Sequence, residues 1–482
     1  MRTWFVRGAR PTASSLLLLV SLFLLPVPPV YAYSVLSHEA VVDMAWKDSI
    51  EPLLKARFPQ ATDDDLNHAH AFAYGGSVIQ DIGYYPHGEK FASDLLHYVR
   101  SGDFIRAMVN ESSDLDEYAF ALGALAHYSS DTNGHPAVNE ATAYEYPKLR
   151  AKYGPRVTYD EDPVAHLRTE FGFDVVQIGR GRYATDDYHK FIGFEVAKPL
   201  IERAFRDIYG FELKEIMPSE DHAINSYRYD VSTLIPEFTR VALVQYGEEL
   251  KKQDPHFDRK KFVYRMRRAE FEKQYGKNYE KPGRGAHVLA FLVRILPKVG
   301  PLKALQLKLP DAHVEALYLN SLDKTEEHYH ARLTELKSQP MTREAKIDLP
   351  NRDLDTGAPT RLKEYALADH TYDRLVILIV KKGKPVPPDL RENILTFYDG
   401  PPAPPSDRQP ATKKTEAHTK DEAEVRHALE VLRAAKPTEI KTSDEPTEEQ
   451  QPPAPKPDAA HPSPKPDAVP PPPPANAPNN PS

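Results

Sequence analysis

The chain has 482 residues, 40% of them hydrophobic, a net charge of -8 and no cysteine. That length allows a large core or several domains, and the missing thiols exclude both a disulfide framework and a thiolate metal site. A metal would have to be held by His, Asp, Glu or backbone groups, and the negative charge argues against nucleic-acid binding driven by bulk electrostatics.

Residues 1–32 carry Arg2, Arg7 and Arg10, then the apolar run LLLLVSLFLLPV, then Val30-Tyr31-Ala32 with small residues at the cleavage positions. This reads as a secretory signal peptide, too short in its apolar part to span a bilayer, so the mature chain is expected to begin at Tyr33 and to be secreted or periplasmic. From Tyr33 to about Asn320 the pattern is helix after helix. Apolar residues recur three and four apart in VVDMAWKDSIEPLLKARF, YAFALGALAHYSS, YHKFIGFEVAKPLIERAFRDIY and STLIPEFTRVALVQYGEEL, with no run of alternating strands. The expected class is therefore all-α.

Residues 258–278 form a basic amphipathic stretch followed by HVLAFLVRILPKVGPLKAL. Together they could lie on an anionic membrane surface, although a solvated helix followed by a core helix is the better reading. Arg294 and Pro297 exclude a span. Residues 321–400 are expected to extend the 33–320 domain, and the run LVILIVKK within them fits a buried strand or a helix equally well. Nearly half of the 46 prolines follow Gly400, so residues 401–482 are expected to form a disordered Pro-rich tail, apart from a short helical tendency in KKTEAHTKDEAEVRHALEVLRAAK.

The chemistry concentrates in Leu122–Pro136, LGALAHYSSDTNGHP, where His127, Asp131 and His135 follow at i, i+4. On a helix all three lie on one face beside apolar Leu122, Ala124 and Leu125, a costly arrangement unless a cation holds it. Imidazole and carboxylate are ligands that zinc accepts. The competing reading is a capping Asp near a stop at Gly134-Pro136. Further donors follow the same logic: His166 and Glu170 are four apart in HLRTE, His97 lies in LLHYV, Asp81 in GGSVIQDIGYYP, and His38 is five residues after Tyr33. The α-amino group of Tyr33, with an ordinary pKa of about 8, would itself be a usable ligand once the signal peptide is removed. Singly each has an ordinary explanation; five histidines and three carboxylates together do not.

This ordered set resembles the zinc-dependent phospholipase C family and its relatives, the S1/P1-type nucleases, over roughly residues 33–200. The resemblance implies an all-helical phospholipase C/P1 nuclease-like domain with three Zn²⁺ ions in a cleft. One would be held by Asp81, His97, His127 and Asp131, a second by Tyr33, His38 and the bridging Asp131, and a third by His135, His166 and Glu170. Tyr33 stands where Trp is usual. The four-residue step from Asp131 to His135 looks like the broader family, including the N-terminal domain of glycosylphosphatidylinositol-specific phospholipase D, where secreted bacterial phospholipases C and the nucleases typically have six. The implied activity is hydrolysis of a phospholipid or other phosphodiester, with Asp81, Asp131 and Glu170 as the catalytic carboxylates and no stable nucleic-acid partner. The alternatives are a single-strand nuclease, for which Tyr84 and Tyr85 are candidate stacking platforms, and a non-catalytic zinc-stabilised surface module. His68, His70, His87 and His189 fall outside the set.

Overall fold

A computed structural model describes residues 35–179, 192–235, 308–339, 347–403 and 415–435, with a few positions between 239 and 252. Residues 1–34, including the expected signal peptide and Tyr33, together with His189, the basic stretch 258–278, the apolar run after it and the tail beyond 435 lie outside the described residues. The helices in order are α1 (Val35–Ala45), α2 (Glu51–Arg57), α3 (Asp63–Gly76), α4 (Lys90–Tyr98), α5 (Ser101–Glu111), α6 (Leu115–Glu145), α7 (Pro147–Tyr153) and α8 (Pro163–Gly179). They continue with α9 (Lys198–Tyr209), α10 (Leu213–Ile216), α11 (Glu220–Tyr229), α12 (Ala312–Ser338), α13 (Ala366–Lys382), α14 (Pro388–Asp399) and α15 (Thr415–Ala434). Among the described residues there is no strand, only an isolated bridge between Arg352 and Pro359. The class is all-α, as the periodicity implies.

α6 is the axis of the molecule. Asp114 caps its N-terminus by accepting from Glu117 N at 2.8 Å, and α1, α3, α5, α8 and α12 all pack against it. The helix does not stop at Gly134-Pro136 but runs on to Glu145 with Pro136 inside it. Phe120, Leu122, Leu125, Ala126 and Tyr128 are buried in one continuous core that also takes in Val41, Leu54, Tyr74, Phe104, Val314, Tyr329, Leu375 and Ile394.

Several predicted helices are divided or trimmed by local chemistry. The segment 41–58 is broken by a π-turn at Trp46–Ile50, and α2 restarts with Pro52 in its first turn. In the described part of the next segment, 192–209, the helix begins at Lys198, where Pro199 sets the first turn. The segment from Ser232 enters through another π-turn, Asp230–Leu234. LVILIVKK lies in α13, a helix. α12 runs unbroken through position 320, so no structural break occurs there. The helical tendency after residue 413 becomes α15, which buries Val425, Ala428, Leu429 and Leu432 against the chain's own core. Lys381 Nζ in α13 donates to Glu424 at 2.9 Å and fixes that contact at its edge. No helix among the described residues is long and apolar enough to cross a membrane.

α3 crosses α6 nearly backbone to backbone. A Cβ on Gly123 would lie 2.0 Å from Ala73 O, and one on Gly76 would lie 2.0 Å from Phe120 O. Neither obstacle is a side chain that can swing away. Alanine in mid-helix favours the helix over glycine by about 1 kcal/mol, whereas overpacking costs about 1–3 kcal/mol, and two backbones must separate here. Gly123→Ala is therefore expected to lower the melting temperature by several degrees, at roughly 2–4 °C per kcal/mol. Thermal unfolding followed by circular dichroism checks this, and an unchanged or raised midpoint would contradict the close crossing.

Candidate metal centre

Four helices and one tight turn supply the eight described members of the expected ligand set. α1 carries His38, the 3₁₀ turn Ile79–Tyr84 carries Asp81, and α4 carries His97 in its last turn. α6 carries His127, Asp131 and His135 on one face, and α8 carries His166 and Glu170. All eight are at most 1% exposed. α1 is held in place by α8: Asp174, one turn beyond Glu170, accepts from Leu36 N at 3.2 Å and from Ser37 Oγ at 2.6 Å. That anchor sets the depth at which His38 enters.

The donor atoms fall into three groups, each with its atoms within 4.8 Å of one another: His38, His127 and Asp131; Asp81, His97 and His127; and His135, His166 and Glu170. Asp131 is the hub. Its Oδ1 lies 3.4 Å from His38 Nε2 and 3.8 Å from His135 Nε2, while its Oδ2 lies 2.8 Å from His127 Nε2 and 3.6 Å from His97 Nε2. Asp81 Oδ1 lies 3.2 Å from His97 Nε2, and Glu170 Oε1 lies 2.8 Å from His166 Nε2. The rings follow this layout, with His38 stacked on His127 at 4.3 Å between centroids and His135 on His166 at 5.4 Å.

These groups fit a divalent cation on two grounds. Both oxygens of Asp81, Asp131 and Glu170, and Nε2 of His127, His135 and His166, are buried with no hydrogen-bond partner of acceptable geometry. Buried polar atoms are normally satisfied, so so many facing one another ask for a ligand of another kind. The second ground is the orientation of the rings. His97 Nδ1 donates to Ser93 O at 2.8 Å and His127 Nδ1 to Ser77 O at 2.9 Å. A carbonyl can only accept, so Nδ1 holds the proton and the Nε2 lone pair faces inward, as metal-binding histidines require.

Without a cation the electrostatics of the cluster are discordant. Burial drives His127 down to about 4 and His135 down to about 3. Burial also acts downward on His97, but Asp81 and Asp131 outweigh it and lift the ring to about 9. Burial raises Glu170 to about 7, and it holds Asp81 and Asp131 above the usual carboxylate range. The protein has removed the water that would solvate these charges, and a cation would restore what was removed.

The family model for zinc dependent phospholipase C matches residues 37–217. Residues 37–217 are thus similar to that family, and the similarity takes in all eight described members of the ligand set. The match supports a metal-dependent, phospholipase-like enzyme with zinc as the metal and a phospholipid as substrate class. No curated protein and no solved structure gives a significant match to the chain.

The tyrosines proposed as stacking platforms are poorly placed for that role, since Tyr84 and Tyr85 are both buried. His70 is a core residue stacked on Trp46 at 3.8 Å with Nε2 3.1 Å from Asp43 Oδ1, while His68 faces solvent beside Asp116. Sequence reasoning missed Asp355. It is buried between α4 and α6, with Oδ1 3.9 Å from His135 Nε2 and Oδ2 accepting from Tyr98 OH at 2.8 Å and Tyr365 OH at 2.7 Å. Burial acts to raise its carboxyl, but His135, His97 and the two hydroxyls hold it below the ordinary range.

Asp131→Asn keeps the shape of the hub and halves its capacity to accept. The expected result is loss of bound zinc measured by elemental mass spectrometry, together with lower thermal stability of the zinc-loaded protein. Full metal content with an unshifted melting curve would remove Asp131 from the centre.

Proposed function

We propose that the chain is a secreted zinc-dependent phosphodiesterase of the phospholipase C type, working through three zinc ions. The observation that carries this reading is the fully buried hub at Asp131, whose two oxygens face different groups of imidazoles at 2.8–3.8 Å. In this reading Asp81, His97, His127 and Asp131 hold one ion; His38 and Asp131, with the α-amino group of Tyr33, hold a second; and His135, His166 and Glu170 hold a third. Zinc at such a centre supplies Lewis acidity towards phosphoryl oxygens and brings the pKa of water towards neutrality.

The side chains divide the work by position. Asp131 fixes the separation of the two groups it faces, and therefore where the scissile phosphate can sit. Asp81 lies at the edge of the hub, where a carboxylate can accept the proton of the attacking water. Glu170, His166 and His135 would hold an ion at the other end, where its positive charge would offset that of the leaving alkoxide. His97 and His127 are held rigid by the Ser93 and Ser77 carbonyls, which limits reorganisation during the reaction. A phospholipid substrate brings the enzyme to a lipid surface, for which the basic stretch 258–278 is the candidate contact. The nuclease reading has less support, because no stacking platform is found at Tyr84 or Tyr85.

The test is made on protein whose intact mass places Tyr33 first, beside a form keeping one additional N-terminal residue. The authentic form is expected to bind about three zinc ions per chain and to hydrolyse a choline phospholipid; the extended form is expected to bind fewer and turn over more slowly. Equal metal content in the two would exclude the α-amino ligand. Cleavage of single-stranded DNA with no lipid hydrolysis would replace the proposed substrate class.

A further inference from the structure

The segment 347–365 lies outside the family match, yet it is fastened to α4 and α6, two of the elements that carry the metal-site residues, and to α5 between them. Asn351 Oδ1 accepts from Gly102 N and Asp103 N, both at 3.1 Å, at the start of α5. Ser101 Oγ donates to Arg352 O at 2.6 Å and Tyr128 OH to Pro350 O at 2.6 Å. Leu354 N donates to the carbonyl of His97 itself at 3.2 Å. Asn139 Nδ2 on α6 donates to Asp355 O at 2.9 Å.

Pro136 creates the seat for this segment. Proline has no N–H, so the carbonyl one turn earlier, Thr132 O, loses its helical donor. Gly357 settles at that spot with φ +68°, and a Cβ on it would lie 2.4 Å from Thr132 O and 3.1 Å from Pro136 Cγ. Only glycine allows both the left-handed backbone and the close approach. Two residues earlier Asp355 is delivered inward, its side chain 5% exposed.

The carboxylate is used asymmetrically. Oδ2 is engaged by the hydroxyls of Tyr98 and Tyr365, whereas Oδ1 is directed at His135, 3.9 Å from Nε2. A buried carboxylate whose back oxygen is fixed by two donors and whose front oxygen faces a ligand nitrogen of the centre is the arrangement of an oriented metal ligand. It also answers a shortage of charge. The group of His135, His166 and Glu170 offers only one carboxylate to a divalent ion, so a second carboxylate beside it would complete the neutralisation.

We infer that Asp355 is a further ligand of the ion at His135, His166 and Glu170, and that Tyr98 is its positioning residue. This rests on the metal-centre reading above and deepens it by extending the centre to a segment the family match does not include. Asp131 Oδ1 and Asp355 Oδ1 then both lie within 3.9 Å of His135 Nε2.

The experiment compares wild type, Asp355→Asn and Tyr98→Phe by zinc competition against a chromogenic chelator, elemental analysis and the visible spectrum after cobalt substitution. Asp355→Asn is expected to lose one ion per chain, or to hold its weakest ion at least about tenfold less tightly, with an altered cobalt spectrum. Tyr98→Phe removes only the hydroxyl that donates to Oδ2. It is expected to keep the full count of ions while weakening one of them by about tenfold; this variant decides the matter if Asp355→Asn does not fold. Unchanged counts, affinities and cobalt spectra in both variants would overturn the assignment and leave Asp355 a structural anchor. A wild-type chain that binds no zinc would overturn the metal centre as well.

Discussion

The structure depends on a concentration of charge that water cannot reach. Asp131 is fully buried in mid-helix with neither oxygen hydrogen-bonded, and an isolated ionised carboxylate in such a place costs several kcal/mol. Asp81 and Glu170 repeat the problem within the same cluster. The remedy is not a set of lysines or arginines, for the groups nearest these oxygens are imidazoles at 2.8–3.8 Å. Divalent cations offset the burial of several carboxylates at once. Stability and activity would then share one origin, because ions that neutralise the core also bind the anionic substrate.

The helices around α6 serve that cluster. The glycine crossing with α3 lets the turn at Asp81 come close, and Asp174 on α8 pins the first residues of α1 so that His38 enters the centre. Pro136 has a more distant consequence. Inside a helix it would ordinarily weaken or bend the structure. Here the freed carbonyl at Thr132 and the proline ring form the surface on which Gly357 rests, so a local defect becomes the docking point for a segment more than 200 residues away.

What could be read in the sequence follows from how locally each feature is encoded. The i, i+4 steps at His127, Asp131 and His135 and at His166 and Glu170 need only helical periodicity, and they come together as that spacing requires. Asp81 and His97 carry no such spacing; their settings in GGSVIQDIGYYP and LLHYV mark them only as candidate donors, and the resemblance to the family is what assigns them to an ion. α13 was ambiguous because it is covered on two sides, by α4 and by α15, so LVILIVKK has no polar face to reveal a period. Asp355 was invisible for another reason. NRDLDTGAP reads as a polar surface turn, and nothing local says that its second aspartate turns inward to face a histidine 220 positions earlier.

A chain without cysteine must tie distant segments together by other means. Metal ligands in this reading come from α1, the Asp81 turn, α4, α6 and α8, so each ion acts as a cross-link between segments separated by up to about a hundred residues. The segment matched by the family model ends at 217, but the surface it leaves is incomplete: α12 buries Tyr318 against Ser37 of α1 and Phe173 of α8, and Tyr329 against α6, where its OH donates to Leu122 O at 2.9 Å, shortly before His127. The later segment then closes over His135 and holds the carbonyl of His97 through Leu354 N. A fragment cut at the end of the match would expose that apolar face and leave both histidines without their supports. The working unit is therefore the matched domain together with α12 and the 347–403 segment.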